Sequence, residues 1–368
     1  MNIVFRTDAS ITIGTGHVMR CLTLADAFKD GEARCHFICR DHQGNLAGLI
    51  KEKGYSCTLL PLPTGFSKSR NSQELAHAEW LGASQEDDAE SCKSIIRDLQ
   101  PSWVIVDHYG IDATWEGCVA GLGAKIFVVD DLADRDHNCD VLLDQTFGRT
   151  EKDYESLVPP RAEVLCGAKY ALLRPEFVEW RQFSLKSRKN GELKRIFVNL
   201  GGVDKDNLTS SVLAGLEATQ LASSVSVIVV LGAQCPNIQS VKETAASSRF
   251  STEVIVAARN MAELMASADL AVGAAGSTSW ERCCLGLPSI MVVIAENQLT
   301  VARNLESAGA TVVLDIHSKA ELPTVLVEVV NQVMKNDCPS SMQRMSYDAS
   351  KIVDGLGVKR VIKRLTTT

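Results

Sequence analysis

No apolar run in this chain approaches a membrane span. The longest, such as "VSVIVVLGA" from Val225, falls far short of the roughly 20 residues that a bilayer crossing takes. There is no basic run either, and the formal net charge of −7 argues against a nucleic-acid partner. The N-terminus passes from Met1 straight into "NIVFR", without the charged, apolar and small-residue blocks of a signal peptide. A cytoplasmic protein with no membrane partner is the expectation. The 12 cysteines contain no C-x-x-C pair. "CHFIC" (Cys35, Cys39) has a histidine inside it, but its alternation fits a strand with buried thiols better than a metal cluster. The Gly-Lys-Ser/Thr signature of a P-loop and the G-x-G-x-x-G fingerprint are both missing. The "NLT" at Asn207 is a glycosylation triplet by letters only.

What remains is an ordinary globular composition, 45% hydrophobic and 23% charged, in 368 residues, a length that suggests two domains. "NIVF", "CHFIC", "CTLL", "WVIVD" and "AKIFVVDD" read as strands of the first half. "HVMRCLTLADAFKDG" repeats apolar residues at Val18, Leu22, Ala25 and Phe28, a helix spacing that ends at Gly31. After "YALLRPEF" comes a polar, basic stretch, "SLKSRKNGELKR", the best linker candidate. The same grammar then restarts with "RIFVNLGG", "NLTSSVLAGLEA", "SVSVIVVLG", "DLAVGAAG", a helix from Ser277, "PSIMVVI" and a helix from Asn297. The expected fold is α/β, with two Rossmann-like doubly wound domains facing across a cleft. The expected boundaries are 1–175, a linker 176–193, a second domain 194–345 and a C-terminal helical segment 346–368.

Ligands of such sheets bind outside the carboxyl ends of the strands, and the chemistry-bearing residues cluster there. In "GTGH", Gly14 and Gly16 permit a tight turn and close approach of a ligand. His17 then falls on the first turn of a helix, whose free N–H groups disfavour an imidazolium and suit a general base. A capping or surface histidine fits the same position. "WVIVDHYGID" places Asp107, His108 and Tyr109 at a strand's carboxyl end, although an Asp cap with a packed aromatic beside it would read alike. In the second half, Gly201 and Gly202 of "VNLGGVD" and Ser277 and Thr278 of "GAAGSTSWE" stand where strands turn into helices, as phosphate sites do. Glu281, one turn on, could accept from ribose hydroxyls or be a solvated charge. Asn297 of "AENQ" could contact ligand or cap a helix.

Together "FRTDASITIGTGHVMRCLTLA", "WVIVDHYGID", "CGAKYALLRPEF", "GGVDKDNLT", "GSTSWE" and "AENQ" resemble the nucleotide-sugar hydrolases of pseudaminic acid biosynthesis, from the first strand to the last helix. That family is similar in architecture to the GT-B glycosyltransferases, including the peptidoglycan lipid II transferase. The resemblance implies hydrolysis of UDP-2,4-diacetamido-2,4,6-trideoxy-β-L-altropyranose, with inversion and without metal or cofactor, for a flagellin or surface glycan; a monomer is the expectation, although the sequence itself is silent on oligomeric state. It places the family's histidine base on His17, its cleft tyrosine on Tyr109, its UDP-side residues on Glu281 and Asn297, and its substrate-binding arginine on Arg174. The diphosphate would lie on the Gly201–Gly202 turn and the Ser277 helix start. Asp107 or Asp8 would orient the imidazole, and the sequence does not choose between them. The segment "HAEWLGASQEDDAESC" is longer than in the shortest members, and its role stays open. A glycosyltransferase using a UDP-sugar donor is the alternative enzyme; a nucleotide-sugar sensor is the alternative from outside catalysis.

Overall fold

Short Val/Ile-rich runs that are apolar on both faces suit parallel strands covered by helices on either side, and both halves of the chain fold that way. The computed structural model describes residues 1–29, 31–63, 75–188, 191–314, 316, 318–335 and 341–367. The chain forms two compact units, Met1–Leu172 with Gly357–Thr368, and Leu173–Leu356.

The first unit holds β1 (Asn2–Thr7), β2 (Arg34–Arg40), β3 (Ser56–Leu60), β4 (Trp103–Asp107), β5 (Lys125–Val129), β6 (Val141–Asp144) and β7 (Glu163–Cys166), all parallel, in the order β3-β2-β1-β4-β5-β6-β7. Alternate residues face opposite cores. Ile3, Phe5, Phe37, Ile105 and Phe127 pack on one side of the sheet, and Val4, Ile38, Val104, Val106 and Val128 on the other. Each such side chain contributes about 1.5–3 kcal/mol by leaving water. The second unit holds β8 (Arg195–Asn199), β9 (Ser226–Leu231), β10 (Ser251–Val256), β11 (Leu270–Ala274), β12 (Ser289–Val292) and β13 (Thr311–Leu314), in the order β10-β9-β8-β11-β12-β13. The strand order reverses between β1 and β4, where Thr7 pairs with Asp107, and between β8 and β11, where Asn199 pairs with Gly273. These are the switch points at which doubly wound sheets bind ligands.

Three boundaries depart from the sequence reading. The expected linker 176–193 is mostly a helix, Pro175–Ser187, belonging to the second unit; residues 189 and 190 lie outside the described residues. Its polar letters misled because they bind carbonyls at the ends of neighbouring elements. Arg181 donates to the carbonyls of Ser350 and Val353 at 2.7 and 3.0 Å, and Ser184 to that of Leu285 at 2.6 Å. The buried Arg188 donates to Met265 and Ala268 at 2.8 and 2.9 Å, just where the helix Met261–Ala266 ends. Cations are favoured at that negative end of the helix dipole. The expected C-terminal segment 346–368 is divided: the helix Met342–Ile352 stays in the second unit, while Gly357–Thr367 returns to the first, burying Val358, Val361 and Leu365. Finally, the first unit takes in residues up to Leu172 rather than 175.

Gly273 marks how tightly the second switch point is built. A Cβ there would collide with Arg282 Nη1 and stand 2.8 Å from the Asn199 carbonyl. Arg282 is itself buried and donates to the Ala274 carbonyl at 2.8 Å. Gly273→Ala is therefore expected to destabilise the fold by about 1–3 kcal/mol, read as a lowered urea midpoint; an unchanged midpoint contradicts this packing.

Candidate active site

In the first unit, the loop after β1 folds back before the helix Gly16–Lys29 begins. Gly14 N donates to the Ser10 carbonyl at 2.9 Å, and Ser10 Oγ accepts from the amides of Thr12 and Ile13 at 3.1 and 2.9 Å. Gly14 has φ +83°, with open space where a side chain would begin, a conformation natural to glycine. The helix then opens with Gly16 and His17, beside the end of β4.

There His17 Nδ1 lies 2.6 Å from Asp107 Oδ1. Asp107 is fully buried. Arg20, one turn along the same helix, grips its carboxylate at both oxygens, Nε to Oδ2 at 2.6 Å and Nη2 to Oδ1 at 2.7 Å. Burial alone would push Asp107 up, but Arg20 and then His17 hold it well below the usual carboxylate range. An ionised carboxylate can only accept, so the proton of the neutral ring sits on Nδ1 and the lone pair on Nε2. Nε2 has no hydrogen bond to any described residue.

A second branch runs through Asp131, just after β5, which pairs with Arg20 and accepts from the Tyr109 hydroxyl at 3.1 Å. Burial and the Asp131 carboxylate push the Tyr109 phenol up, so it remains a donor. Its ring stands edge-on to His17, centroids 4.5 Å apart at 89°. Asp8 takes no part in this arrangement. It is fully buried, 2.8 Å from Arg6 Nη1 and 3.3 Å from His108 Nε2, and it accepts from the Arg40 amide at 2.6 Å. Burial alone would raise it, but Arg6 and His108 hold it well below the usual range. Asp8 thus ties β1, β2 and the turn after β4 together, its Oδ2 without a hydrogen-bond partner among the described residues, and Asp107, not Asp8, is the carboxylate bonded to His17.

The residues singled out in the second unit lie around β8, β11 and β12. Gly201, at φ +98°, opens the turn after β8 with free space at its Cβ position, and Gly202 follows it. The next helix, Leu208–Glu217, is already capped: Asp204 accepts from the amides of Leu208 and Thr209 at 2.8 and 3.0 Å. Only the turn, not that helix start, remains open to an anion. The helix Thr278–Leu285 differs, since the exposed Ser277 preceding it makes no side-chain cap bond. Asn297 is exposed on the short turn Glu296–Gln298; the neighbouring Gln298 Nε2 lies 4.0 Å from the Cβ position of Gly276, so the two loops adjoin. Arg174 caps the backbone start of the helix Pro175–Ser187, with Nη2 3.1 Å from Glu176 Oε1 and 3.8 Å from Glu281 Oε1. Glu281 Oε2 is buried with no partner among the described residues. Burial pushes the Glu281 carboxyl up to about 7, against the pull of Arg174 and Arg282.

Arg20, Asp131 and Trp80 were missed from the sequence. Asp131 ends the quoted "AKIFVVDD", at the same carboxyl edge as Asp107, and Arg20 lies one turn from His17; both signals were present. Trp80 had none, because only the fold brings it to His17.

Residues 195–363 match the glycosyltransferase family 28 C-terminal domain. The UDP-2,4-diacetamido-2,4,6-trideoxy-β-L-altropyranose hydrolase of Campylobacter jejuni is 28% identical over 311 residues, 84% of this chain and 97% of that protein. MurG of Acinetobacter baumannii superposes with a TM-score of 0.68 at 14% identity, covering 100% of this chain and 99% of that one. A UDP-GlcNAc 2-epimerase from Neisseria meningitidis, solved with UDP-GlcNAc bound, gives 0.61 at 13% identity, covering 100% of both. The two solved structures show the fold, which is GT-B-like in its pair of parallel-sheet α/β units.

The buried Glu281 yields a prediction of sign. A carboxyl whose pKa is raised in the folded state costs nothing below the unfolded value; the cost grows as pH rises toward about 7 and is constant above it. Glu281→Gln should therefore match the parent near pH 4 and exceed it above pH 7, by about 1–3 kcal/mol, in urea unfolding across pH. A difference that shrinks with rising pH contradicts the burial described.

Proposed function

We propose that this chain, which resembles the pseudaminic acid nucleotide-sugar hydrolases along most of its length, hydrolyses UDP-2,4-diacetamido-2,4,6-trideoxy-β-L-altropyranose to UDP and the free sugar. Water attacks the anomeric carbon, the bond from that carbon to the diphosphate oxygen breaks, and the configuration inverts. The observation that carries the reading is His17, held through Nδ1 by Asp107, with Nε2 free of hydrogen bonds to the described residues. Nε2 takes the proton of the attacking water. The Asp107–Arg20 clamp fixes ring and tautomer, the task a buried carboxylate performs in an Asp–His pair. The expected contribution is about 10²–10⁴-fold.

The leaving group explains why one base is enough. UDP departs as a stabilised diphosphate, so an acid on the other face is less needed than for an alkoxide. The Gly201–Gly202 turn and the Ser277–Thr278 helix start receive the phosphates through backbone and hydroxyl donors, as preorganised dipoles. Glu281 accepts from the ribose hydroxyls with the oxygen that has no partner among the described residues. Arg174 and Asn297 complete the binding group, and Tyr109 holds the sugar or the water. No step in this scheme calls for a metal. A glycosyltransferase reading is favoured by the family 28 match; donor and water alone separate the two, since a hydrolase turns over fully and a transferase barely.

His17→Asn is expected to lower UDP release by more than ten-fold while folding and UDP affinity persist; a smaller loss removes His17 as the base. Turnover in ¹⁸O water should place the label in the sugar, and label in UDP contradicts attack at carbon.

A further inference from the structure

The segment His77–Cys92, which the sequence left without a role, is built into the first unit against the proposed base. The helix Gln85–Leu99 anchors it. Asp88 is fully buried, accepts from Arg6 at 2.9 and 2.8 Å and from Trp115 Nε1 at 2.9 Å, and pairs with Arg40. Gln85 Oε1 accepts from the Asp112 amide at 2.9 Å, just past the "DHYG" turn. On that turn the His77 carbonyl sits 2.8 Å from where a Cβ of Gly110 would stand, so the seat exists only because residue 110 is glycine.

So fixed, the short turn Ala78–Trp80 assembles a wall of rings. Trp80 lies nearly parallel to Tyr109, centroids 5.8 Å apart at 25°, and His77 packs on both, 4.3 Å from Trp80 and 5.6 Å from Tyr109. Trp80 stands 6.3 Å from the His17 ring at 73°. The chain is only 5% aromatic, with five Trp, so this grouping needs a reason. Hydrophobic packing alone does not supply one: Trp80 is only half-buried, and its indole N–H has no hydrogen bond to any described residue.

We infer that Trp80, with His77 and Tyr109, forms the specificity wall for the sugar, receiving its apolar substituents (the C6 methyl and the acetamido methyls) beside His17. This rests on the hydrolase reading given above. A 2,4-diacetamido-2,4,6-trideoxy sugar differs from an ordinary hexose in carrying a methyl at C6 in place of a hydroxymethyl, and at C2 and C4 acetamido groups, each ending in a methyl, in place of hydroxyls. Aromatic faces take up such groups by removing them from water. A hydroxyl driven against the same faces loses its water without gaining a partner. The wall therefore selects by penalising the hydroxylated competitor as much as by attracting the deoxy sugar.

The test compares UDP-2,4-diacetamido-2,4,6-trideoxy-β-L-altropyranose with its 6-hydroxy counterpart, using the full chain and its Trp80→Ala and Trp80→Phe variants. Trp80→Ala is expected to lower kcat/KM for the 6-deoxy substrate by about ten-fold or more, chiefly through KM, and to shrink the 6-deoxy to 6-hydroxy preference by a similar factor, on the scale of one hydrophobic group in a pocket. Trp80→Phe should restore most of both, with UDP affinity by calorimetry unchanged throughout. An unchanged preference overturns the wall, whether activity holds or falls equally for both sugars. Absence of turnover by the parent protein would instead sink the hydrolase reading; the affinity ratio for the two UDP-sugars, measured on the same variants, would still decide the wall.

Discussion

A carboxylate with no access to water governs the first unit. Asp107 is buried at the end of β4 and remains ionised, a condition that costs several kcal/mol unless the charge is paired and its lone pairs are filled. Three donors from two residues on one face of a helix, His17 and Arg20, fill them. That requirement dictates the helix's placement, because the two side chains one turn apart reach Asp107 together only if the helix starts at the β1–β4 switch point. The glycine turn before it is what allows so early a start. Arg20 in turn binds Asp131, which engages Tyr109. The ring, the clamp and the phenol form one connected network in which, among the described residues, His17 Nε2 is the nitrogen left without a hydrogen bond.

The first unit is not wholly satisfied, since Asp8 Oδ2 and Asp131 Oδ1 are buried without a hydrogen-bond partner among the described residues, but the second leaves its singled-out groups more exposed. Its buried carboxyl, Glu281, keeps one oxygen without a partner and is pushed up to about 7. Ser277 and Asn297 are exposed, and the Gly201 turn is open. Paired charges hold a side chain still, whereas unpaired donors and acceptors are free to be completed by another group.

Much of this was legible in the sequence, and the failures have physical causes. The strands that were read are continuous apolar runs. Those missed are β6, β7 and β13, each four residues long as is β12, which was read only within the longer run "PSIMVVI", and the partly exposed edge strand β10. The helix Pro175–Ser187 was read as linker because its polar residues bind carbonyls of the second unit, a use that no local pattern records. Asp8 and Asp107 both follow buried strands and look equivalent in one dimension; the fold separates them, since Arg6 points at the first and Arg20 at the second. Trp80 depends on a contact across 63 residues of chain with His17, beyond any spacing argument.

The account stands on which nitrogen of His17 carries the proton. Long-range ¹H–¹⁵N correlation of the ring in the free protein, at a pH where it is neutral, reads this directly. The expected result is a protonated Nδ1 and a lone-pair-bearing Nε2, with the pattern lost or mixed in Asp107→Asn. A ring protonated on Nε2 in the parent protein would contradict this assignment, because the nitrogen not held by Asp107 would have no lone pair to offer.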